Sequence, residues 1–312
     1  MRRLALITAL TGLALAWAVA PAAGQGGPAL KVVFTGGTIY HREAVPPGKG
    51  HVFRVTCPPG YKPVFGGPAS FDPTAPLKAS VVSLPGNAWL FRYDNTGTQP
   101  TTVTVMVLCA KPRPAGAVPP GVKRPLKIVI KKRRITTTVA PLQTKTVTRT
   151  CPAGTLPVGA GSDIAPIGSR ANAPPVGGNF QGRLSQWEIS GRTKTVTADN
   201  HSPDTLQLIA ELLCGDVVDA RGDPVRALVR TTIREFHDTL KPDLNIFHHA
   251  CPRGMFPWWL GWQFAPGLDA LSVTYAFDQG GKPVWALFAG QETPVDLYAA
   301  CTQGSMRVLK RP

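Results

Sequence analysis

Residues 57–67 read CPPGYKPVFGG and are the first copy of a motif that organises the whole chain. The same register of cysteine, proline, glycine, proline and glycine returns as CPAGTLPVGAG at residues 151–161 and as CPRGMFPWWLG at residues 251–261. A register held in three copies is typical of a repeated structural unit. The repeat therefore indicates a scaffold built from three similar parts, and it does not by itself indicate a catalytic cleft.

Strand-like segments surround each copy of the motif. The runs that lead to the closing cysteines, residues 103–109, 206–214 and 295–301, carry an apolar side chain at every second position. Period two is the spacing of side chains on one face of a β-strand. Glycine and proline, 32 of each, stand between such runs and supply the turns. The sequence therefore predicts an all-β protein made of short antiparallel strands.

Two architectures fit the threefold repeat. The first is three tandem small β-sandwiches, residues 24–110, 126–216 and 226–312, joined by a Pro-rich basic linker at 111–125 and a short joint at 217–225. The second is a single three-fold β-prism to which each copy supplies one sheet. The proline-rich linker favours separate units, because such a segment acts as a semi-rigid spacer.

Six cysteines follow the first residues, and each copy owns two of them. Six cysteines allow 15 connectivities, but the repeat favours one bridge within each copy. Each bridge would close a loop of roughly 50 to 65 residues, which the chain-entropy model values at about 4 kcal/mol. The expected pairs are Cys57 with Cys109, Cys151 with Cys214, and Cys251 with Cys301.

The chain begins with the pattern of a secretory signal peptide, predicted to span residues 1–23. Arg2 and Arg3 form a basic head, residues 4–19 are apolar, and small residues follow at 20–24. An uncleaved N-terminal anchor is the alternative. No later stretch approaches the length of a spanning helix, so none is expected after cleavage. The expected location is secreted, periplasmic or at the cell surface.

The net charge of +16 is concentrated in the first half of the chain. Residues 111–134 hold nine basic residues and no acid. Such asymmetry suggests an anionic neighbour, namely a cell-surface polymer, lipid headgroups or a glycan, with nucleic acid less expected. A solvated basic linker is the alternative. The candidate binding residues are Lys123, Arg124, Lys127, Lys131, Lys132, Arg133 and Arg134.

The third copy of the motif is unusually aromatic, because it contains Trp258, Trp259 and Trp262 where the other copies have smaller residues. If exposed, these rings could stack on sugars or dock a partner. The alternative is that they pack in the core or against the second copy.

Signals for catalysis are weak. The chain has no G-x-S-x-G elbow, no H-E-x-x-H motif and no phosphate-binding glycine loop. His248 and His249 are adjacent, so on a strand they point to opposite faces, and His237 lies on the preceding run. We therefore expect no catalytic residue, no metal and no cofactor. An exported hydrolase with a site between the repeats is the alternative.

The complete pattern of a copy runs from Val45 to Cys109: a Val-Pro-Pro-Gly turn, the cysteine motif, a tryptophan strand, an asparagine turn and a closing alternating strand. This pattern resembles repeats found in exported proteins of high-GC bacteria. The second copy departs from it at the tryptophan and the third at the asparagine. The resemblance implies an exported β-rich module without an assigned activity, and hence a non-enzymatic binding or surface-structural protein.

Overall fold

The structure, a computed structural model, describes residues 27–309 with gaps at 71–76, 84–86, 96, 167–181, 191, 265–269 and 278–282. The predicted signal peptide, residues 1–23, lies outside the described residues. Within the described ranges every regular element is a β-strand, so the predicted all-β class is confirmed. In this part of the chain no helix is long and apolar enough to cross a bilayer.

The described residues form nineteen strands. The first copy holds β1 (Ala29–Val45), β2 (Lys49–Thr56), β3 (Lys62–Ser70), β4 (Leu77–Ser83), β5 (Ala88–Asn95) and β6 (Thr101–Pro114). The second holds β7 (Lys127–Val139), β8 (Thr144–Thr150), β9 (Leu156–Pro166), β10 (Gly182–Ser190), β11 (Thr193–Asn200) and β12 (Leu206–Val218). The third holds β13 (Arg226–Leu228), β14 (Thr231–Leu240), β15 (Asp243–His248), β16 (Met255–Phe264), β17 (Ala270–Phe277), β18 (Pro283–Ala289) and β19 (Thr293–Val308).

One set of antiparallel pairings recurs in all three copies. In the second copy β12 lies between β7 and β9, and β11 lies between β8 and β10. In the first copy β6 lies between β1 and β3, and β5 lies between β2 and β4. In the third copy β19 lies between β14 and β16, and β18 lies between β15 and β17. Each copy thus contributes two three-stranded pieces.

Five of the six pieces join a piece of another copy in a shared sheet, whereas β15, β18 and β17 form a separate three-stranded sheet. A six-stranded sheet in the order β2-β5-β4-β9-β12-β7 combines the first and second copies, and Val81 pairs with Ser162 at the junction. β10 pairs with β16 and so connects the second copy to the third. β1 pairs in parallel with β19, and β17 lies beside β3, so the third copy returns to the first.

The predicted separate sandwiches do not describe this arrangement, and neither does a prism in which each copy supplies one whole sheet. The physical reason is that a three-stranded piece leaves an edge of unpaired backbone N–H and C=O groups. The neighbouring copy covers that edge. The domain boundaries predicted from the sequence stay predictions.

Disulfides fasten the closing strand of each copy. Cys57 is bonded to Cys109, Cys151 to Cys214, and Cys251 to Cys301, as the repeat predicts. The closing cysteines are buried, and so are the residues on either side of each of them along the strand. Three disulfides indicate an oxidising compartment outside the cytoplasm.

Candidate functional site: the basic strand β7 and its acids

Strand β7 carries most of the predicted binding residues. Lys127, Lys131, Lys132, Arg133 and Arg134 all lie on it. The strand forms because isoleucine and threonine surround the charges, and β-branched residues favour the extended chain. β7 is the last strand of its sheet, with β12 on one side. Lysine on an edge strand also discourages pairing with another chain, which is the structural explanation for the same residues.

Two acids of β12 neutralise part of this charge. Glu211 is fully buried, and its Oε1 lies 3.1 Å from Lys132 Nζ and 3.8 Å from Arg134 Nε. Asp216 Oδ2 lies 3.0 Å from Lys131 Nζ. These pairs hold the cations of β7 against the sheet.

Other cations of the set remain uncompensated. Among the described residues, no acid lies within ion-pair distance of Lys123, Arg124 or Arg133, and all three are exposed. Lys127 Nζ donates to the carbonyl of Ala220 at 3.2 Å, which leaves its charge without an acid partner. The structure therefore brings Lys131 to Arg134 together on one strand and leaves a surplus of positive charge beside them.

The linker that precedes β7 is attached to the joint between the second and third copies. Asp219 is buried, and its carboxylate accepts hydrogen bonds from the backbone N–H groups of Lys123, Arg221 and Asp223. The hydrogen bond from Lys123 is the main cause that lowers the pKa of Asp219. A cavity of about 460 Å³, lined mainly by glycine, proline and valine, lies between these two segments. Because backbone N–H groups of both segments donate to the Asp219 carboxylate, we assign to Asp219 the structural role of holding the two segments together.

The second copy also contains a buried lysine, which contacts β9 and β12. Lys194 of β11 is 1% exposed, and its Nζ donates to the carbonyl of Gly161 at 2.6 Å. It also lies 2.6 Å from Ser162 Oγ and 3.4 Å from the carbonyl oxygen of Glu211. Burial lowers the pKa of Lys194 well below its usual value, and the negative charge of Glu211 opposes this change.

Tryptophans occupy the corresponding place in the other copies. Trp285 is fully buried, and its Nε1 donates to the carbonyl of Gly261 at 3.2 Å. The Trp89 ring lies so close to Gly66 that a β-carbon added there would meet it at 2.6 Å. In the first copy Gly66 therefore gives room for the tryptophan ring. Sequence reasoning missed Lys194, although its alignment with the tryptophan strands was the signal that could have identified it.

The predicted aromatic patch is not on the surface, which corrects one of the two interpretations above. Trp258, Trp259 and Trp262 are 4%, 2% and 8% exposed. Trp258 Nε1 donates to the carbonyl of Pro157 in the second copy at 3.0 Å. Its ring centroid lies 4.4 Å from that of Phe34 in the first copy. These rings fill the region where the copies meet, so the alternative interpretation, burial against the second copy, describes them.

Two of the three histidines considered above have carboxylate partners. His249 Nε2 lies 2.8 Å from Asp238 Oδ2, and its ring stacks on Phe236 with centroids 3.8 Å apart. His237 Nδ1 lies 2.8 Å from Asp296 Oδ1 on the outer face of the sheet. The hydrogen bond that His237 donates to Asp296 raises the pKa of His237. His248 is exposed.

The first copy contains a related group that sequence reasoning did not identify. His41 Nε2 and His51 Nε2 lie 2.7 and 2.9 Å from the two carboxylate oxygens of Glu43. Burial opposes ionisation of Glu43, but the hydrogen bonds of His51 and His41 outweigh it and lower the pKa of the carboxyl. Phe53 lies beside both imidazoles. In sequence the only signal was a His-x-Glu strand followed by a histidine on the next strand.

Comparison of the sequence with known proteins identifies no family to which the chain belongs. No model of a protein family matches the sequence, and no curated protein is similar to it. The resemblance to exported repeat proteins therefore stays a prediction.

Proposed function

We propose that this is an exported, non-enzymatic protein that binds an anionic polymer or lipid surface along β7. The observation that carries the proposal is the exposed positive charge left on and before β7 after Glu211 and Asp216 have taken their partners. A surplus of one sign on an open edge attracts the opposite sign over a long range.

The shape of the site favours an extended ligand. β7 has 13 residues, which corresponds to a length of about 43 Å at the rise of a β-strand. Successive residues of a strand point to opposite faces, so Lys131 to Arg134 project on both sides of the edge. The side chains of Lys131 and Arg134 are 68% and 48% exposed. A linear polyanion or a layer of headgroups can contact such a row along its length.

The compartment supports the same class of partner. Three disulfides and the predicted signal peptide point to the cell exterior or envelope. Polyanionic polymers and anionic lipids are available there. The protein would then act as a surface or structural component held by charge, with a common core that keeps the three copies together.

The test is binding of the mature, oxidised protein to inorganic polyphosphate and to vesicles of phosphatidylglycerol in phosphatidylcholine. We expect retention at low salt that falls steeply as salt is added, because screening shortens the reach of exposed charges to about 8–10 Å. The variant K123Q/R124Q/R133Q removes cations that have no acid partner and should weaken binding strongly.

A matched control is R54Q/R230Q/R253Q, which removes three exposed charges outside residues 111–134. It should weaken binding much less. Equal losses in the two triple variants would mean that only net charge matters. Retention that salt does not change would contradict the proposal.

Hydrolysis is a second candidate function, and one observation favours it. Ser162 Oγ lies 2.6 Å from Lys194 Nζ, at the junction of the first and second copies. A serine beside a lysine of lowered pKa is a known nucleophile–base combination. Against it, Ser162 is 7% exposed and Lys194 1%, so the pair faces the core.

A fluorophosphonate probe separates the two functions. Labelling of the native protein that disappears in S162A would support hydrolysis. Absence of labelling, together with salt-sensitive binding to polyphosphate, would leave the β7 proposal as the explanation.

A further inference from the structure

The outer face of β14 and β19 brings three metal-ligating side chains together. His237 and Asp296 are directly opposite each other in the register of the two strands. Glu235 precedes His237 by two residues, so its side chain lies on the same face. The sheet therefore sets the relative positions of one imidazole and two carboxylates.

We propose that Glu235, His237 and Asp296 form a surface site for a divalent transition-metal cation of the zinc class. One ligand atom from each side chain lies within 4.8 Å of the other two. Ligand atoms bound to one Zn²⁺ at about 2.0–2.2 Å lie within about 4.2 Å of one another. Small rotations of these side chains are enough to close that difference, because Glu235 and His237 are exposed.

The type of donor selects the class of ion. One imidazole nitrogen and two carboxylate oxygens suit Zn²⁺ and its neighbours, whereas Ca²⁺ and Mg²⁺ prefer oxygen ligands alone. Three protein ligands leave at least one coordination position open to solvent, as in metal sites that exchange a water or an anion.

The surroundings also favour a cation. Asp238 directly follows His237, so its side chain points to the opposite face, where it pairs with His249 at 2.8 Å. The nearest basic residue in sequence, Arg234, points to the opposite face, where its guanidinium carbon lies 5.8 Å from the centre of the Phe236 ring. Gln263 is opposite Asp296 on the other side of β19, so its amide extends the same polar row.

The group formed by His41, Glu43 and His51 is a second set of side chains of the kind that binds metal ions. There the carboxylate lies between the two imidazoles and hydrogen-bonds one with each oxygen. In the part of the chain that the structure describes, no other set of three ligand atoms meets the spacing found at Glu235, His237 and Asp296.

The experiment is titration of the mature, tag-free, oxidised protein with Zn²⁺ by calorimetry, and with Co²⁺ by visible absorption. We expect one ion per chain, and an affinity loss of at least about tenfold in H237A and in D296N, since even indirect partners of a metal contribute that much. The H248A variant removes an exposed histidine of the neighbouring strand β15 and should bind as the native protein does.

Thermal unfolding without metal shows whether the variants are folded. H237A should keep the native midpoint, because its side chain is 75% exposed. No binding of either ion, unchanged binding in H237A, or loss of binding in H51A instead would each overturn the proposal.

Discussion

The second and third copies solve the same packing problem with different chemistry. In the third copy a tryptophan, Trp285, donates to the carbonyl of the last motif glycine, Gly261. In the second copy a lysine, Lys194, donates to the carbonyl of Gly161. Both side chains are buried, so the backbone accepts either an aromatic ring or an amine at this place.

The closing strand also differs between the copy with the buried lysine and the two copies with the buried tryptophan. Three residues before the closing cysteine, the first copy has Met106, the third has Tyr298, and the second has Glu211, all buried. A buried amine needs an acid and hydrogen-bond acceptors, because an unpaired charge in the core is strongly unfavourable. In the second copy the negative charge of Glu211 favours the charged form of Lys194, whereas the other two copies have uncharged residues at both positions.

The most severe way to break the pair of Lys194 and Glu211 is to remove the charge of Glu211 alone. We expect E211Q to lower the free energy of unfolding by about 3–5 kcal/mol, because Lys194 and Lys132 then lose their acid. Urea denaturation of the oxidised protein, followed by tryptophan fluorescence, measures the change. The exposed Glu292→Gln is the control and should be neutral. A loss below about 1 kcal/mol, the range of surface pairs, would show that Glu211 is not a buried counterion.

The second prediction concerns alkaline pH, at which the protonation of Lys194 should change the free energy of unfolding. Its pKa is lowered in the folded protein, whereas the unfolded chain keeps the ordinary value of 10.5. Between the two values the unfolded chain binds the extra proton, so stability should rise with pH by up to about 1.4 kcal/mol per pH unit. Below the folded value both states are protonated and the slope disappears.

Urea midpoints of the native protein and of K194M/E211M, measured from neutral to alkaline pH, test this dependence. The described residues contain no free cysteine that could start disulfide exchange there. The native protein should gain stability relative to the variant. Parallel curves would mean that Lys194 has an ordinary pKa.

A smaller difference between the second and third copies concerns an ion pair between β14 and the segment that follows β15. By the register of the closing strands, Asp238 of the third copy corresponds to Thr137 of the second. Asp238 holds His249 at 2.8 Å in a half-buried site. We expect D238N to lower the free energy of unfolding by about 1 kcal/mol, the typical net contribution of one hydrogen bond. T137V at the corresponding place should be close to neutral, and thermal unfolding of both variants compares them. A D238N protein as stable as the native one would exclude a role for this pair.

The smallest effect is expected when both Lys194 and Glu211 become apolar. K194M/E211M should have a free energy of unfolding within about 1 kcal/mol of the native value at neutral pH, because apolar replacements of buried ion pairs are often neutral or stabilising. Denaturation under the conditions used for E211Q gives the answer. A double variant as unstable as E211Q would show that the two residues do not compensate each other.

The failures of sequence reasoning have a common cause. Period two places the side chains of a strand on two faces, but it does not say what covers each face. The aromatic run was open to two interpretations for that reason, and Phe34, far away in the chain, covers Trp258. Lys194 alternates with threonines, which is typical of a polar surface strand, but it is buried against β9 and β12, as its contacts with Gly161 and Glu211 show.

The all-β class follows from the amino-acid sequence, because alternation and turn residues act between near neighbours. The partner of each cysteine was predicted by the threefold repeat of the motif. How the copies share their sheets, and which cations of β7 have an acidic partner, became apparent in the folded structure. Both depend on contacts between distant strands, where edge hydrogen bonds and buried charges must find partners that local periodicity does not encode.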